Sequence, residues 1–146
     1  PITLRSILDL TTNAATPSIN TLTTLQIERL RELKKTGKTF EQAQIESKNA
    51  VLSAFGINAD AVSNFNSISL LGSTPADESL LRATVALLQV ARDQSSAVEA
   101  NLTVLISKLA TDLKNDGQIN EAAKDLVVPI QAAKNAVDAA FIRYRL

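Results

Sequence analysis

The sequence predicts an all-α fold, a bundle of about five helices that begins with an N-terminal αα-hairpin and ends in a helix kinked by proline. Leu, Ile, Val and Ala recur at spacings of three and four residues, which is the period of an amphipathic helix. The few glycines and prolines lie where such helices would begin or end. Because 45% of the 146 residues are apolar, residues 1–146 can bury one continuous core, and we expect a single helical domain.

The αα-hairpin is predicted from two helical segments, at about 21–36 and 40–55, joined by a short turn. Gly37 suits the left-handed residue that ends a helix, and Thr39 followed by Gln42 has the spacing of a capping box. A connection this short predicts that the two helices pack side by side and antiparallel. The apolar stripe of the first helix is Leu22, Leu25, Leu30 and Leu33.

Two stretches lack a sustained period. Near the N-terminus, Leu4, Ile7 and Leu8 predict one or two helical turns, followed by a loop over 11–17. Residues 57–74 carry Asn, Ser, Asp and Gly between isolated apolar residues, and we interpret them as a packed loop with room for a short helix.

The third helix has a clear start signal. Thr74 suits the N-cap and Pro75 the first helical position, while Asp77 and Glu78 favour a helix N-terminus. We expect this helix to run to about Arg92. Its predicted buried face is Leu81, Val85, Leu88 and Ala91, widened by Leu80, Leu87 and Val90.

The fourth and fifth helices follow in the C-terminal third of the chain. Ser96 and Glu99 have capping-box spacing, and the fourth helix should end near Lys114. The last helical region is predicted over 120–145, where Pro129 should kink or split it. The buried stripe of the fourth helix is Leu102, Ile106, Leu109 and Leu113.

Composition argues against several classes of function. The chain has no His and no Cys, so it cannot build a catalytic triad, a thiol nucleophile or a thiolate metal site. Its formal net charge is +0 and its aromatic content is 3%, so neither phosphate attraction nor base stacking favours nucleic acid as a partner. No apolar run reaches the roughly 18–20 residues of a membrane span, and we expect no membrane insertion.

One segment resembles a calcium-binding loop. Asp112 and Asp116 stand at the first and fifth positions of an EF-hand-type loop, and Asn120 at the ninth. The third and twelfth positions, however, hold Lys114 and Ala123 instead of oxygen ligands. The alternative interpretation is a helix-ending turn in which Asn120 caps the next helix. The metal candidates are therefore Asp112, Asp116 and Asn120, and no other cofactor is predicted.

Paired carboxylates are the remaining candidates for acid–base chemistry, and helix capping explains their positions. We therefore predict no catalytic residues and no enzymatic activity. The pairs are Asp77 with Glu78, Asp93 with Glu99, and Asp112 with Asp116.

Five short segments, taken in order, resemble a helical domain found in large surface-exposed or lipid-anchored proteins of Gram-negative bacteria, where it typically follows small β-sandwich modules. The segments are LRSILDL (4–10), INTLTTL (19–25), GKTFEQA (37–43), VLSAFGI (51–57) and DLKNDGQIN (112–120). The resemblance implies a parent protein with an upstream signal peptide and lipid anchor, and a location at the outer-membrane surface or outside the cell. It implies no functional residues.

The functional expectation is a non-enzymatic structural or protein-interaction module of a bacterial cell-surface protein. Its partners would be neighbouring domains of the same chain or another surface protein. An exposed apolar patch, expected between Ile57 and Leu71, would provide the contact. The alternative is a helical bundle that binds a small ligand or a calcium ion. A chain that begins at Pro1 and contains no Met is typical of a fragment of a larger multidomain protein.

Overall fold

The computed structural model describes residues 2–7, 18–62, 65 and 68–144. Within these ranges the chain forms five α-helices and no β-strand, which confirms the predicted all-α bundle. Short 3-10 turns at Ala59–Ala61 and Lys124–Leu126 lie in the connections. The helices are α1 (Thr21–Lys35), α2 (Phe40–Ala54), α3 (Pro75–Gln94), α4 (Val98–Asn115) and α5 (Val127–Tyr144).

The helices share a single main core. α1 packs between α2 and α4, and α3 packs between α4 and α5. Every helix contributes buried apolar side chains to this core, so the five helices stabilise one another. Representative members, one from each helix in chain order, are Leu22, Leu52, Leu87, Leu109 and Ile130. No helix in the described part of the chain is both long and apolar enough to span a bilayer.

The predicted αα-hairpin is confirmed, together with the residues that form its turn. Gly37 has a φ of +91°, and the next residue, Lys38, donates its backbone N–H to the carbonyl of Leu33 at 3.3 Å. This is the Schellman pattern, in which a left-handed glycine lets the chain satisfy the last helical carbonyls. Thr39 and Gln42 then cap α2 reciprocally, with bonds of 3.1 and 3.2 Å.

The predicted buried face of α3 is only partly right. It is confirmed at Leu80, Leu87, Val90 and Ala91 and wrong at the three residues that follow. The side chains of Leu81 and Val85 are only partly buried, and Leu88 is 40% exposed. Apolar residues cover most of the circumference of α3, so periodicity alone did not select a face. The structure buries the side that carries alanines, where α4 and α5 can approach closely. The buried apolar residues are Leu80, Ala83, Ala86, Leu87, Val90 and Ala91.

The turn from α3 to α4 does not use the predicted capping box of Ser96 and Glu99. The N-cap position of α4 is Ala97, whose side chain makes no capping bond. Instead, the side-chain amide of Asn101 donates to the carbonyl of Ala91 at 2.8 Å. The carbonyl of Ala91 is one of the last four of α3, which have no donor within the helix. A side chain of α4 therefore caps the C-terminal end of α3.

Helix α5 begins at Val127, seven residues after its predicted start at Asn120. The backbone N–H groups of residues 120–123 bond to the side chain of Asp112, so this segment does not continue as helix. Pro129 is the third residue of α5, where a backbone N–H needs no helical acceptor. The proline therefore lies in the first turn of the helix rather than at a kink within it.

The N-terminal segment 2–7 is not helical, so the helical turn predicted at Leu4 and Ile7 is wrong. The segment lies along the start of α1, where the backbone N–H of Arg5 bonds to the hydroxyl of Thr24 at 2.8 Å. Leu8 and the predicted loop over 11–17 lie outside the described residues.

The loop between α2 and α3 turns its apolar side chains inward. Its buried members are Val62, Phe65 and Ile68. The expected exposed patch from Ile57 to Leu71 is therefore wrong at these three positions, while positions 63, 64, 66 and 67 lie outside the described residues. The short helix expected in this loop is present as the 3-10 turn. Leu70 and Leu71, at the end of the loop, remain exposed.

The orientation of α3 can be tested with two adjacent leucines. Leu87 is fully buried and Leu88 is 40% exposed. We expect Leu87→Ala to lower the free energy of unfolding by about 2–5 kcal/mol, because it leaves a cavity in the core. Leu88→Ala should cost less than about 1 kcal/mol. Chemical denaturation measures both values, and an equal or larger loss for Leu88→Ala would contradict the observed orientation.

Candidate functional site

The three predicted metal ligands come together after α4. Asn120 donates its side-chain N–H to a carboxylate oxygen of Asp116 at 2.7 Å and its backbone N–H to Asp112 at 3.2 Å. Gly117, between them, has a φ of +82° and donates its N–H to the carbonyl of Leu113 at 3.1 Å. The segment is a helix-ending turn, but Asn120 caps no helix, because the chain that follows it bonds to Asp112.

Asp112 is the organising residue of this turn. Its side chain is 1% exposed and accepts hydrogen bonds from four consecutive backbone N–H groups. The bonds from residues 120–123 measure 2.6–3.2 Å, so both carboxylate oxygens are engaged. A curved run of backbone N–H groups of this kind binds anions. Here the anion belongs to the protein itself, and it joins α4 to the segment that leads to α5.

The protonation of Asp112 follows from two opposing effects. Burial favours the neutral form and by itself raises the pKa. The four backbone hydrogen bonds stabilise the carboxylate and outweigh burial, so the pKa of Asp112 lies below its usual value. The side chain is therefore ionised at neutral pH and paired with backbone dipoles.

The surroundings of the turn are electropositive. Arg29 donates to the carbonyls of Lys114 and Asn115 at 3.2 and 2.9 Å, and so caps the C-terminal end of α4. The hydrogen bond from Asn120 and the nearby charge of Arg29 both lower the pKa of Asp116. Asp116 also accepts the backbone N–H of Gln118 at 2.8 Å. Among the described residues, no group of three or more acidic, His or Cys side chains is arranged to hold a metal ion.

A second feature is a tight turn that exposes two leucines at the C-terminal end of the predicted apolar patch (57–71). The N–H of Gly72 bonds to the carbonyl of Ser69 at 3.2 Å and closes the turn around Leu70 and Leu71. The N–H of Leu71 bonds to the hydroxyl of Ser69 at 3.2 Å. The side chain of Leu71 is 97% exposed and that of Leu70 is 40% exposed. We call residues 69–72 the di-leucine turn.

The di-leucine turn is held in place by Asp77, the third residue of α3. This buried carboxylate accepts hydrogen bonds from the N–H of Ser69 at 2.6 Å and from the N–H of Thr74 at 3.0 Å. The hydroxyl of Thr74 and these N–H groups together lower the pKa of Asp77. A Cβ atom at Gly72 would lie 2.1 Å from the Asp77 carboxylate, so the turn requires glycine there.

Sequence reasoning assigned Asp77 only to the helix N-terminus. Thr74 and Asp77 form a capping box in which Asp takes the place of the more usual Glu or Gln. A shorter acid at this position keeps its carboxylate close to the backbone, where it also reaches Ser69. In the sequence, the turn is marked by two adjacent leucines, Leu70 and Leu71, followed by Gly72.

A groove lies between the C-terminal end of α2 and α5, and α3 lines one part of it. It has two adjoining compartments of about 400 and 250 Å³, and both are lined by Phe55 and Lys134. We call this the α2–α5 groove. The larger compartment reaches the Gly117 turn, and the smaller one reaches Arg82 and Asp138.

Charged side chains form a connected network at the smaller compartment. Arg82 pairs with Glu78 at 2.6 Å and with Asp138 at 3.0 Å, and its guanidinium lies 4.8 Å from the centre of the Phe141 ring. The hydrogen bond that Arg82 donates to Glu78 is the largest influence that raises the pKa of Arg82, against the effect of burial. Lys134 lies 3.4 Å from the second oxygen of Asp138. This network joins α3 to α5.

The other carboxylate pairs are separated by their partners. Asp77 caps α3, whereas Glu78 bonds to Arg82. Asp93 accepts a hydrogen bond from Gln89 on its own helix at 2.8 Å, and the next acid, Glu99, is exposed at the start of α4. These carboxylates are used in caps and ion pairs at different places on the bundle.

The role of Asp112 can be tested with an isosteric change. In Asp112→Asn, an amide NH₂ replaces an oxygen that accepts backbone N–H groups, so donors would face donors in a buried site. We expect the free energy of unfolding to fall by about 1–3 kcal/mol or more. Asp125→Asn is the matched control, because Asp125 is exposed and pairs only with the exposed Lys108 at 3.3 Å; its cost should stay below about 1 kcal/mol. Equal losses in the two variants would contradict the structural role.

The calcium hypothesis has a direct test. Both oxygens of Asp112 already accept backbone N–H groups, so we expect the same thermal midpoint in millimolar calcium and in excess chelator. A ligand that binds only the folded state must raise the midpoint by mass action. A calcium-dependent rise that disappears in Asp116→Ala would make this turn a calcium site.

Comparisons of this chain with protein-family models, with curated protein sequences and with solved structures find no match.

Proposed function

We propose that this domain is a non-enzymatic structural or protein-interaction module of a cell-surface protein of a Gram-negative bacterium. The observation that carries the proposal is the di-leucine turn, in which a folded and hydrogen-bonded segment exposes 97% of Leu71. The partner is a neighbouring domain of the same parent chain or another surface protein. The resemblance of five sequence segments to a domain of lipid-anchored surface proteins supports the location.

The energetics favour docking of this turn. Burying a leucine side chain stabilises a complex by about 1.5–3 kcal/mol relative to leaving it in water. Asp77 fixes the backbone of the turn through Ser69, so Leu71 cannot fold back onto the domain without breaking these bonds. A rigid protrusion loses little conformational entropy when it binds, and more of the burial energy therefore contributes to affinity.

The surroundings of the turn indicate the chemistry of the partner. The exposed residues next to the two leucines are uncharged: Ser69, Gly72, Ser73, Thr74 and Pro75. A complementary surface is therefore an apolar pocket with an uncharged polar rim. The anchor is an aliphatic side chain at the centre of the contact, and the hydroxyl groups around it supply hydrogen bonds.

The positions of the acids support a non-enzymatic role. General acid–base catalysis needs carboxylates that face one substrate within hydrogen-bonding distance. In the described residues, Asp77 and Asp112 are occupied by backbone N–H groups, and Glu78 and Asp138 by Arg82. The chain uses these carboxylates to hold its own loops and helices.

Site-specific photo-crosslinking tests the docking role in the full-length parent protein on intact cells. We expect a photoreactive amino acid at position 71 to give one discrete crosslinked product with a surface protein or with a neighbouring domain. Position 104 is the matched control, because Val104 is 52% exposed on α4, away from the turn. The same products at both positions, or none at 71, would contradict the proposal. A parent protein that resists protease added to intact cells would contradict its surface location.

A charged substitution separates docking from folding. Leu71→Asp should leave the free energy of unfolding within about 0.5 kcal/mol of the unmodified domain, because the side chain is almost fully exposed. The same change should prevent association, since an aspartate would have to lose its water in an apolar pocket. Val104→Asp should alter neither property. Denaturation and co-purification of the crosslinked partner measure the two effects, and an association that survives Leu71→Asp would exclude the di-leucine turn as the contact.

A further inference from the structure

The α2–α5 groove has the features of a small-molecule site, which is independent of the di-leucine turn. We propose that it binds a small amphiphilic monocarboxylate, with the carboxylate at the Lys134 ammonium and the hydrocarbon chain in the larger compartment. The groove volume of about 400 Å³ falls within the roughly 300–1,000 Å³ typical of ligand sites.

Lys134 stands at the junction of the two compartments and lines both of them. Its side chain is 25% exposed, and its ammonium lies 3.4 Å from Asp138. Charge-assisted hydrogen bonds between N⁺–H and a carboxylate are shorter, at about 2.7–2.9 Å. An ammonium has three N–H donors, and among the described residues this one has Asp138 as its single recorded partner. Lys134 can therefore donate to an incoming carboxylate.

The neighbouring Arg82 explains why the contact between Lys134 and Asp138 is long. Arg82 draws the first oxygen of Asp138 to 3.0 Å and holds Glu78 at 2.6 Å, so both of these acids are bound to the guanidinium. Asp138 reaches Lys134 only through its second oxygen. A ligand carboxylate would complete the coordination of the ammonium without breaking either Arg82 pair.

The local field limits the charge of the ligand. The C-terminal end of α2 lies beside the ammonium, since a Cβ at Gly56 would be 4.0 Å from the Lys134 nitrogen. Helix C-termini carry a partial negative charge. Asp138 lies beside the same ammonium and adds a second source of negative potential. A phosphate dianion is therefore repelled more strongly here than a monocarboxylate.

The walls of the larger compartment are suited to a hydrocarbon chain. Four apolar side chains contribute to it from three parts of the structure: Phe55, Ile119, Val127 and Ile130. Val127 is 44% exposed, so the chain of the ligand would cover apolar surface that now contacts water. Ser53, Gln118 and Gln131 form the polar part of the lining.

Octanoate is a suitable probe, and titration of the 146-residue chain followed by amide NMR shifts measures its binding. We expect one saturable site with a Kd of about 0.1–1 mM, which is the range for a small ligand with a single ion pair. Acetate, which lacks the hydrocarbon chain, should bind at least about tenfold more weakly. Octanol, which lacks the charge, should bind about two- to fivefold more weakly. The shifted amides should be those that line the groove.

Three variants locate the site. Lys134→Met keeps the aliphatic stem, removes the charge and should weaken octanoate binding about two- to fivefold. Ser53→Trp places a large side chain at the exposed edge of the larger compartment and should block the hydrocarbon chain. Lys124→Met is the control, because Lys124 is exposed outside the groove, and its Kd should not change. Unfolding midpoints without ligand establish that each variant is folded.

Several outcomes would overturn the proposal. These are the absence of saturable binding, equal binding of acetate and octanoate, and unchanged binding in a folded Lys134→Met variant. Leu71→Asp should bind octanoate as the unmodified chain does. Loss of the docking function and loss of the ligand site are thus measured by different variants.

Discussion

The structure depends above all on one buried carboxylate. Asp112 ends α4 by collecting the four backbone N–H groups of residues 120–123, which turns the chain back along the bundle before α5 begins. The start of α5 then faces the end of α2 across the groove, and its later residues pair with α3. A helix that began at Asn120, as periodicity suggested, would have left Asp112 buried without these partners, at a considerable cost in free energy.

Asp77 repeats this arrangement in the first turn of α3. In both places a short acidic side chain binds backbone N–H groups of a neighbouring loop, and burial is compensated by hydrogen bonds rather than by a cation. The consequences differ. Asp112 positions a helix and therefore the groove, whereas Asp77 positions a surface turn and therefore Leu71. The two proposed binding features thus rest on two separate loops, each hydrogen-bonded to a buried carboxylate.

A structural feature could be predicted from the sequence when the residues that form it lie close together along the chain. Gly37, Thr39 and Thr74 were correctly predicted because caps and left-handed turns are formed by residues within four or five positions of one another. The failures involve long-range partners. Asn101 bonds to the end of α3, and the predicted capping box at Ser96 does not form. The buried face of α3 depends on α4 and α5, which both pack against it.

The sequence by itself determined the helical class, the number of long helices and most of their ends, since these depend on local periodicity and capping. It also placed Asp112, Asp116 and Asn120 in one turn. Only the tertiary structure decided that the Asp112 carboxylate binds backbone N–H groups, that Phe65 and Ile68 are buried while Leu71 is exposed, and that Lys134 lies in a groove. These outcomes depend on which distant segments pack together, and no local pattern encodes that choice.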